Sequence, residues 1–230
     1  MKYKNIYKGI FLNRENRFIA NIKINDKIHK VHVKNTGRCK ELLVKNSKVY
    51  VQYVDKESRK TDYSLISVYK NNRLFNIDSQ VPNKVILKGL NDNKILGLKN
   101  LDYIKPEKKI GNSRLDFYYE KNSIKGYIEV KGVTLEKNNI GIFPDAPTKR
   151  GSKHINELIS LKKEGYENYI IFLLQFNGAK KFIPNWVTDK VFSKTLKKAS
   201  SKGINILAYD SVVSKDKIIL NNKIEINLNK

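Results

Sequence analysis

Two acids and a lysine near the middle of the 230-residue chain have the spacing of a site for phosphodiester hydrolysis. Asp116 closes the run Gly111-Asn112-Ser113-Arg114-Leu115, and one strand later Glu129 and Lys131 bracket Val130 in Tyr127-Ile128-Glu129-Val130-Lys131. Side chains alternate along a strand, so Glu129 and Lys131 share a face that Asp116 on a neighbouring strand can also share. Two carboxylates can hold Mg²⁺ (or Mn²⁺), which keeps several waters, while the lysine orients a water and offsets charge on the phosphate. Acids inside apolar strands need partners or a metal. The competing reading is an internal salt-bridge arrangement of Asp116, Glu129 and Lys131. Glu-x-Lys alone is weak in a lysine-rich chain, where Glu120-Lys121 and Glu136-Lys137 also occur.

The segment Phe143-Pro144-Asp145-Ala146-Pro147-Thr148-Lys149-Arg150-Gly151-Ser152-Lys153-His154 reads as a loop and a helix start. Thr148 or Ser152 can cap the helix, and Arg150, Lys153 and the open N–H groups would form a seat for a backbone phosphate. His154 is either a substrate contact or an ordinary helix-surface residue. Glu157, one helical turn from Lys153, either joins a metal site or pairs with that lysine.

The elements that must position these residues fall into two styles. Up to residue 80 the chain reads as short strands: Ile6 to Leu12, Arg17 to Ile24, Lys27 to Val33, Lys48 to Val54, Tyr63 to Tyr69 and Leu74 to Ile77. Asn25-Asp26 and Asn71-Asn72 are hairpin signals, and a short helical segment is expected at Lys40-Glu41-Leu42-Leu43. Such strands suggest a five-stranded oligonucleotide/oligosaccharide-binding barrel, with a simple Greek-key sheet as the competing shape. From Val81 the elements lengthen: helices over Val81 to Leu90, Thr148 to Lys163 and Asp189 to Ser201, and strands over Arg114 to Tyr119, Gly126 to Lys131, Ile140 to Phe143, Tyr169 to Gln175 and Asn205 to Tyr209. Residues 1–80 and 81–230 are therefore expected to form a small β-barrel and a mixed sheet flanked by helices, an α+β or α/β pair of domains packed together.

The formal charge is +24, from 46 basic against 22 acidic residues. Abundant Lys, Asn and Ile suggest an A/T-rich coding sequence, but that bias does not deplete acids, so a polyanionic partner is expected. Residues 1–80 hold 18 basic against 7 acidic residues, a net of +11. Only seven of the basic residues are arginines. Arginine makes bidentate phosphate contacts that lysine cannot, so Arg14, Arg17 and Arg38 in barrel loops, with Arg114, Arg150, Lys153 and His154 beyond, are candidate nucleic-acid contacts. Loop-holding pairs with Glu15 or Glu41 are the alternative for Arg14 and Arg17. One cysteine, Cys39, and three scattered histidines exclude a disulfide and a cysteine-based zinc site. No apolar run suits a bilayer span or a signal peptide, so a cytoplasmic location is expected, with no membrane partner.

The Asp, then Glu-x-Lys, pattern resembles the restriction-endonuclease-like nuclease core. More specifically, Phe11-Leu12-Asn13-Arg14-Glu15-Asn16-Arg17-Phe18, His32-Val33-Lys34-Asn35-Thr36-Gly37-Arg38, Gly111 to Phe117, Glu129-Val130-Lys131-Gly132-Val133-Thr134-Leu135 and Phe143 to His154 resemble the sugar fermentation stimulation protein A family. The resemblance implies a barrel joined to a restriction-endonuclease-like domain, DNA binding without strong sequence preference, and a link to regulation of sugar use, notably maltose. It implies a glutamate at Glu107 as an outer metal ligand; Asp145 is a further candidate. Cys39 and Pro147 depart from the family pattern. Beside a Mg²⁺ nuclease, a non-catalytic DNA-binding regulator and an RNA-processing nuclease stay open.

Overall fold

The computed structural model describes every residue except Thr36, Lys56, Glu57 and Asn112. Six strands build the first part: β1 (Ile6–Arg14), β2 (Ile19–Ile24), β3 (Lys27–Val33), β4 (Lys48–Tyr53), β5 (Tyr63–Lys70) and β6 (Arg73–Asn76). Their inward positions alternate, as with Ala20, Ile22 and Ile24 of β2, because a strand turned to a core on one face buries every second side chain. Asn25 and Asp26 (φ 47° and 63°) and Asn71 and Asn72 (47° and 61°) make two-residue turns that need positive φ at both positions, which Asn and Asp tolerate. The order β3-β2-β1-β4-β5 closes through a parallel β3–β5 pairing, Val31 with Tyr63 and Val33 with Leu65, into a five-stranded OB barrel that β6 extends. Lys40 to Leu43 is no helix. Leu42 and Leu43 donate to the Cys39 carbonyl in an isolated turn, too short to repay helix nucleation.

The second part contains α1 (Val81–Asn91), β7 (Tyr103–Ile110), β8 (Ser113–Lys121), β9 (Ile124–Val133), β10 (Leu135–Lys137), β11 (Ile140–Phe143), α2 (Lys149–Lys163), β12 (Tyr169–Leu174), β13 (Lys181–Pro184), α3 (Lys190–Ser201), β14 (Asn205–Ser214), β15 (Lys217–Lys223) and β16 (Glu225–Ile226). A six-stranded mixed sheet runs β15-β14-β12-β9-β8-β7, with β9, β12 and β14 parallel at its centre. β12, Tyr-Ile-Ile-Phe-Leu-Leu, is buried at all six positions, as a strand covered on both faces must be. Val85 and Ile86 of α1 cover one face over Phe117, Ile128, Val130 and Ile171; Ile155 and Leu158 of α2 cover the other over Leu115, Tyr127 and Phe172. A smaller sheet, β10-β11-β13-β16, lies beside it.

The two parts share one apolar core, with Phe75 of the barrel and Phe176 after β12 at 4.7 Å between ring centroids. Gln175 donates to Asn76 at 2.8 Å and Asn76 to the Tyr3 hydroxyl at 2.8 Å, so a satisfied polar chain crosses the same seam.

Candidate metal centre and nucleic-acid interface

β8 and β9 pair from Lys121–Ile124 as far as Phe117–Ile128 and then part. At that fork the Asp116 carboxylate replaces the ladder: Oδ2 accepts the Val130 N–H at 2.7 Å, and Oδ1 accepts Asn83 Nδ2 from the first turn of α1 at 2.7 Å. Glu129, 2% exposed, points from β9 toward α2. Its Oε1 accepts from Lys131 Nζ, two residues on and on the same face, and from His154 Nδ1 at 2.6 Å. Its Oε2 is buried with no hydrogen-bond partner.

The electrostatics follow from this packing. Burial, then the Glu129 charge, pushes Asp116 up to about 6 against the pull of Val130 N–H, Lys131 and Asn83. Burial alone would also raise Glu129, but Lys131 and His154 together hold it below the usual carboxylate range. Two carboxylates share one lysine, and an oxygen is left bare. A buried site short of positive charge and offering hard oxygen donors fits a divalent cation such as Mg²⁺ or Mn²⁺. Among the described residues no group of three or more His, Cys, Asp or Glu is arranged to hold a metal. Water and phosphate oxygens would complete the shell, which is how Mg²⁺ is commonly held.

His154 is neither a surface residue nor open to solvent: it is 5% exposed on the inner side of α2. Arg150 Nε, one turn earlier, donates to its Nε2 at 3.4 Å, which leaves Nδ1 to donate to Glu129. Thr148 caps α2 by accepting the Gly151 N–H at 3.0 Å, whereas Ser152 lies inside the helix with its hydroxyl buried and unpartnered. Glu157 is half-buried, and its Oε2 also has no partner.

The structure does not bring Glu107 or Asp145 to this centre. Glu107 falls opposite Asp116 in the β7–β8 register, but it occupies a positive-φ kink and its exposed carboxylate pairs with Arg114 at 3.2 Å. Asp145 holds the barrel's Gly37–Cys39 loop instead, accepting the Cys39 N–H at 3.4 Å. A Cβ on Gly37 would stand 2.5 Å from its Oδ2, so the close approach needs glycine.

Among the arginines, Arg14 has a structural post. Its guanidinium donates to the carbonyls of Gly37 (3.0 Å), Arg38 (2.9 Å), Asn35 (2.8 Å) and Arg17, and so clamps two barrel loops together. That clamp lifts Arg17 and Arg38 into solvent beside Lys40 and Lys45 on a basin that reaches Ala146 and Pro147 of the second domain. Thr36 of this loop and Asn112 of the Gly111 motif lie outside the described residues. A cleft of about 360 Å³ continues from Arg17 and Gly37 past Asp145 to Gly132, Thr134 and Gln175. Arg114, Arg150, Lys153 and His154 gather with Lys109 and Ser113 around a second depression.

Sequence reading missed Asn83 and Lys109. Asn83 had a signal, a polar residue in the otherwise apolar start of α1. Lys109 had none, because Tyr-Ile-Lys-Pro-Glu-Lys-Lys-Ile reads as a loop; Pro and charge are tolerated there because β7 is an edge strand.

Comparison with known proteins accords with this architecture. The family model described as "SfsA N-terminal OB domain" matches residues 12–77, and "Sugar fermentation stimulation protein RE domain" matches residues 80–217. A sugar fermentation stimulation protein homolog of Clostridium botulinum (strain Langeland) is 52% identical over 226 residues, 98% of each chain. Another, from Ruminiclostridium cellulolyticum, is 49% identical over 228 residues, covering 99% of this chain and all of its own. The solved structure of Pyrococcus furiosus SfsA in complex with Ca²⁺ superposes with a TM-score of 0.89 at 28% identity, covering 99% of this chain and 98% of that one. With both domain models and nearly full-length relatives matched, the chain belongs to the sugar fermentation stimulation protein (SfsA) family.

Proposed function

We propose that this protein is a Mg²⁺- or Mn²⁺-dependent nuclease that hydrolyses phosphodiester bonds in DNA gripped without strong sequence preference. Residues 1–80 supply the grip and residues 81–230 the hydrolytic centre. The observation that carries this reading is the buried Asp116–Glu129 pair with one bare carboxylate oxygen and one lysine. That the related archaeal protein was solved with Ca²⁺, a hard oxygen-seeking ion, supports it. Asp116 and Glu129, with a main-chain carbonyl near Val130, hold the metal, which polarises the phosphate and lowers the pKa of bound water when present.

The side chains divide the remaining work. Lys131 Nζ, beside Glu129, orients the attacking water and offsets charge on the phosphate. His154 fixes the Glu129 carboxylate, and Asn83 with the Val130 N–H fixes Asp116. Arg114, Arg150 and Lys153 take phosphates next to the centre, while Arg17 and Arg38 take them on the barrel. Hydrolysis breaks one P–O ester bond and forms one P–O bond from water, leaving a phosphomonoester on one fragment and a hydroxyl on the other.

Labelled single- and double-stranded DNA and RNA, incubated with Mg²⁺, Mn²⁺ or chelator, test the proposal. Metal-dependent cleavage of DNA abolished in Glu129→Ala and Lys131→Ala supports it; binding without cleavage under every metal sinks it. Preferential RNA cleavage would reassign the substrate, because a basic barrel does not by itself discriminate the sugar. The second reading, a non-catalytic DNA-binding regulator, draws on Glu129 Oε1 being already engaged by both Lys131 and His154.

A further inference from the structure

Lys109 near the end of β7, Ser113 and Arg114 at the start of β8, and Arg150, Lys153 and His154 early in α2 line a depression of about 470 Å³. The β7–β8 hairpin walls one side and α2 the other. Four of the six residues are cations; the one carboxylate recorded against them is Glu107, 3.2 Å from Arg114. About three positive charges are left for a ligand. The depression adjoins the carboxylate pair, since Arg150 reaches Glu129 through His154 alone.

An internal backbone phosphate brings one negative charge and offers two free oxygens. A phosphomonoester brings roughly −1.5 to −2 and three strong acceptors. Cations crowded into one hollow repel one another, and the dianion relieves that repulsion better than a diester does. Arg114 and Arg150 also supply planar donor forks from opposite walls, suited to a group with acceptors facing several ways.

We propose that this depression seats the terminal phosphate of a nucleic-acid strand, so that the protein works from phosphorylated ends instead of at internal positions. The proposal rests on the nuclease reading for its catalytic half and on charge and shape alone for its binding half. The strand body then leads away from the centre through the cleft lined by Gly132, Thr134 and Gln175 toward Arg17 on the barrel.

The test uses the full chain and fluorescent oligonucleotides ending in a 5′-phosphate, a 3′-phosphate or hydroxyls only, with binding measured at fixed salt in Ca²⁺ and in chelator. Cleavage is followed in Mg²⁺ on the same oligonucleotides and on covalently closed circular DNA. One of the two phosphorylated ends is expected to bind at least tenfold tighter than the hydroxyl-ended strand, and circles are expected to survive. The preference should vanish in the Lys109→Ala/Lys153→Ala protein, whose two sites are exposed and whose melting temperature checks the fold. Equal affinity for all three oligonucleotides, or circles cut as fast as linear strands, overturns the proposal. Phosphate preference without cleavage of anything would remove the nuclease reading and keep the seat; cleavage without preference would do the reverse.

Discussion

Glu129 and Glu107 each sit beside a cation, Lys131 and Arg114, yet the two pairs are different objects. The Glu129 side chain is 3% exposed and that of Glu107 is 69% exposed. In water the Glu107 pair is screened and offset by side-chain entropy, so it contributes between nothing and about 1 kcal/mol. In the interior the Glu129 charge has been taken from solvent, and each of its neighbours becomes a compensation that cannot be removed cheaply. The same residue types at similar distances therefore make a centre in one place and a surface ornament in the other.

The sharpest way to break this contrast is Glu129→Ala. It strands Lys131 and His154 without their acceptor and should cost about 3–5 kcal/mol in denaturant unfolding while abolishing divalent-ion binding. Glu129→Gln, which keeps the shape, should lose the metal with a smaller stability loss; unchanged Mn²⁺ binding in either would remove Glu129 from the centre.

Asp116 carries the next largest effect, and with the opposite sign. Its carboxyl is moved from an ordinary 3.8 to about 6, so the fold holds the charged form less readily than the unfolded chain does. Stability without metal should consequently fall as pH rises from about 4 to 6, and Asp116→Asn should stabilise the metal-free protein at pH 7 by about 1–2 kcal/mol. The metal needs the ionised form, so Mn²⁺ affinity of the unaltered protein should weaken as pH drops through about 6. Calorimetric titrations at pH 5 and 7.5 check this, and equal affinities would refute it.

Two arginines one loop apart extend the comparison to the barrel. Arg14→Ala removes four donations to carbonyls and should destabilise the protein by about 1–3 kcal/mol. Arg17→Ala should leave stability within about 0.5 kcal/mol and lower the slope of log affinity against log salt by about 0.9, as loss of one phosphate contact does. A flat salt response in the unaltered protein would contradict the charge argument as a whole. Smallest of all, Glu107→Gln should change stability by less than about 0.5 kcal/mol and leave Mn²⁺ binding intact; lost metal binding would restore Glu107 as a ligand.

Much of this protein is readable in one dimension. The barrel strands follow from period-two alternation and from Asn-Asp and Asn-Asn turns whose conformation the residue types permit. Strand Lys27–Val33 and strand Ile140–Phe143 fall where their patterns place them, and Thr148 caps α2 as its type suggests. What escaped was unpatterned. β7 carries a proline and five charged residues in or beside its ladder, β13 and β16 are too short to show a period, and β15 holds only a brief apolar stretch. The turn after Cys39 looked helical because composition over four residues cannot report nucleation cost.

By itself the sequence determined the chemistry available: a strand face bearing Glu129 and Lys131, an acid at Asp116, and a basic excess for a polyanion. Only the tertiary structure decided allegiance. The fork between β8 and β9 put Asp116 against Val130 and Asn83, α2 brought His154 to Glu129, and packing across the seam turned Asp145 and Arg14 into braces. Spacing along a strand is local and set by the backbone, whereas the partner of a buried charge is whatever long-range packing places within 3 Å of it.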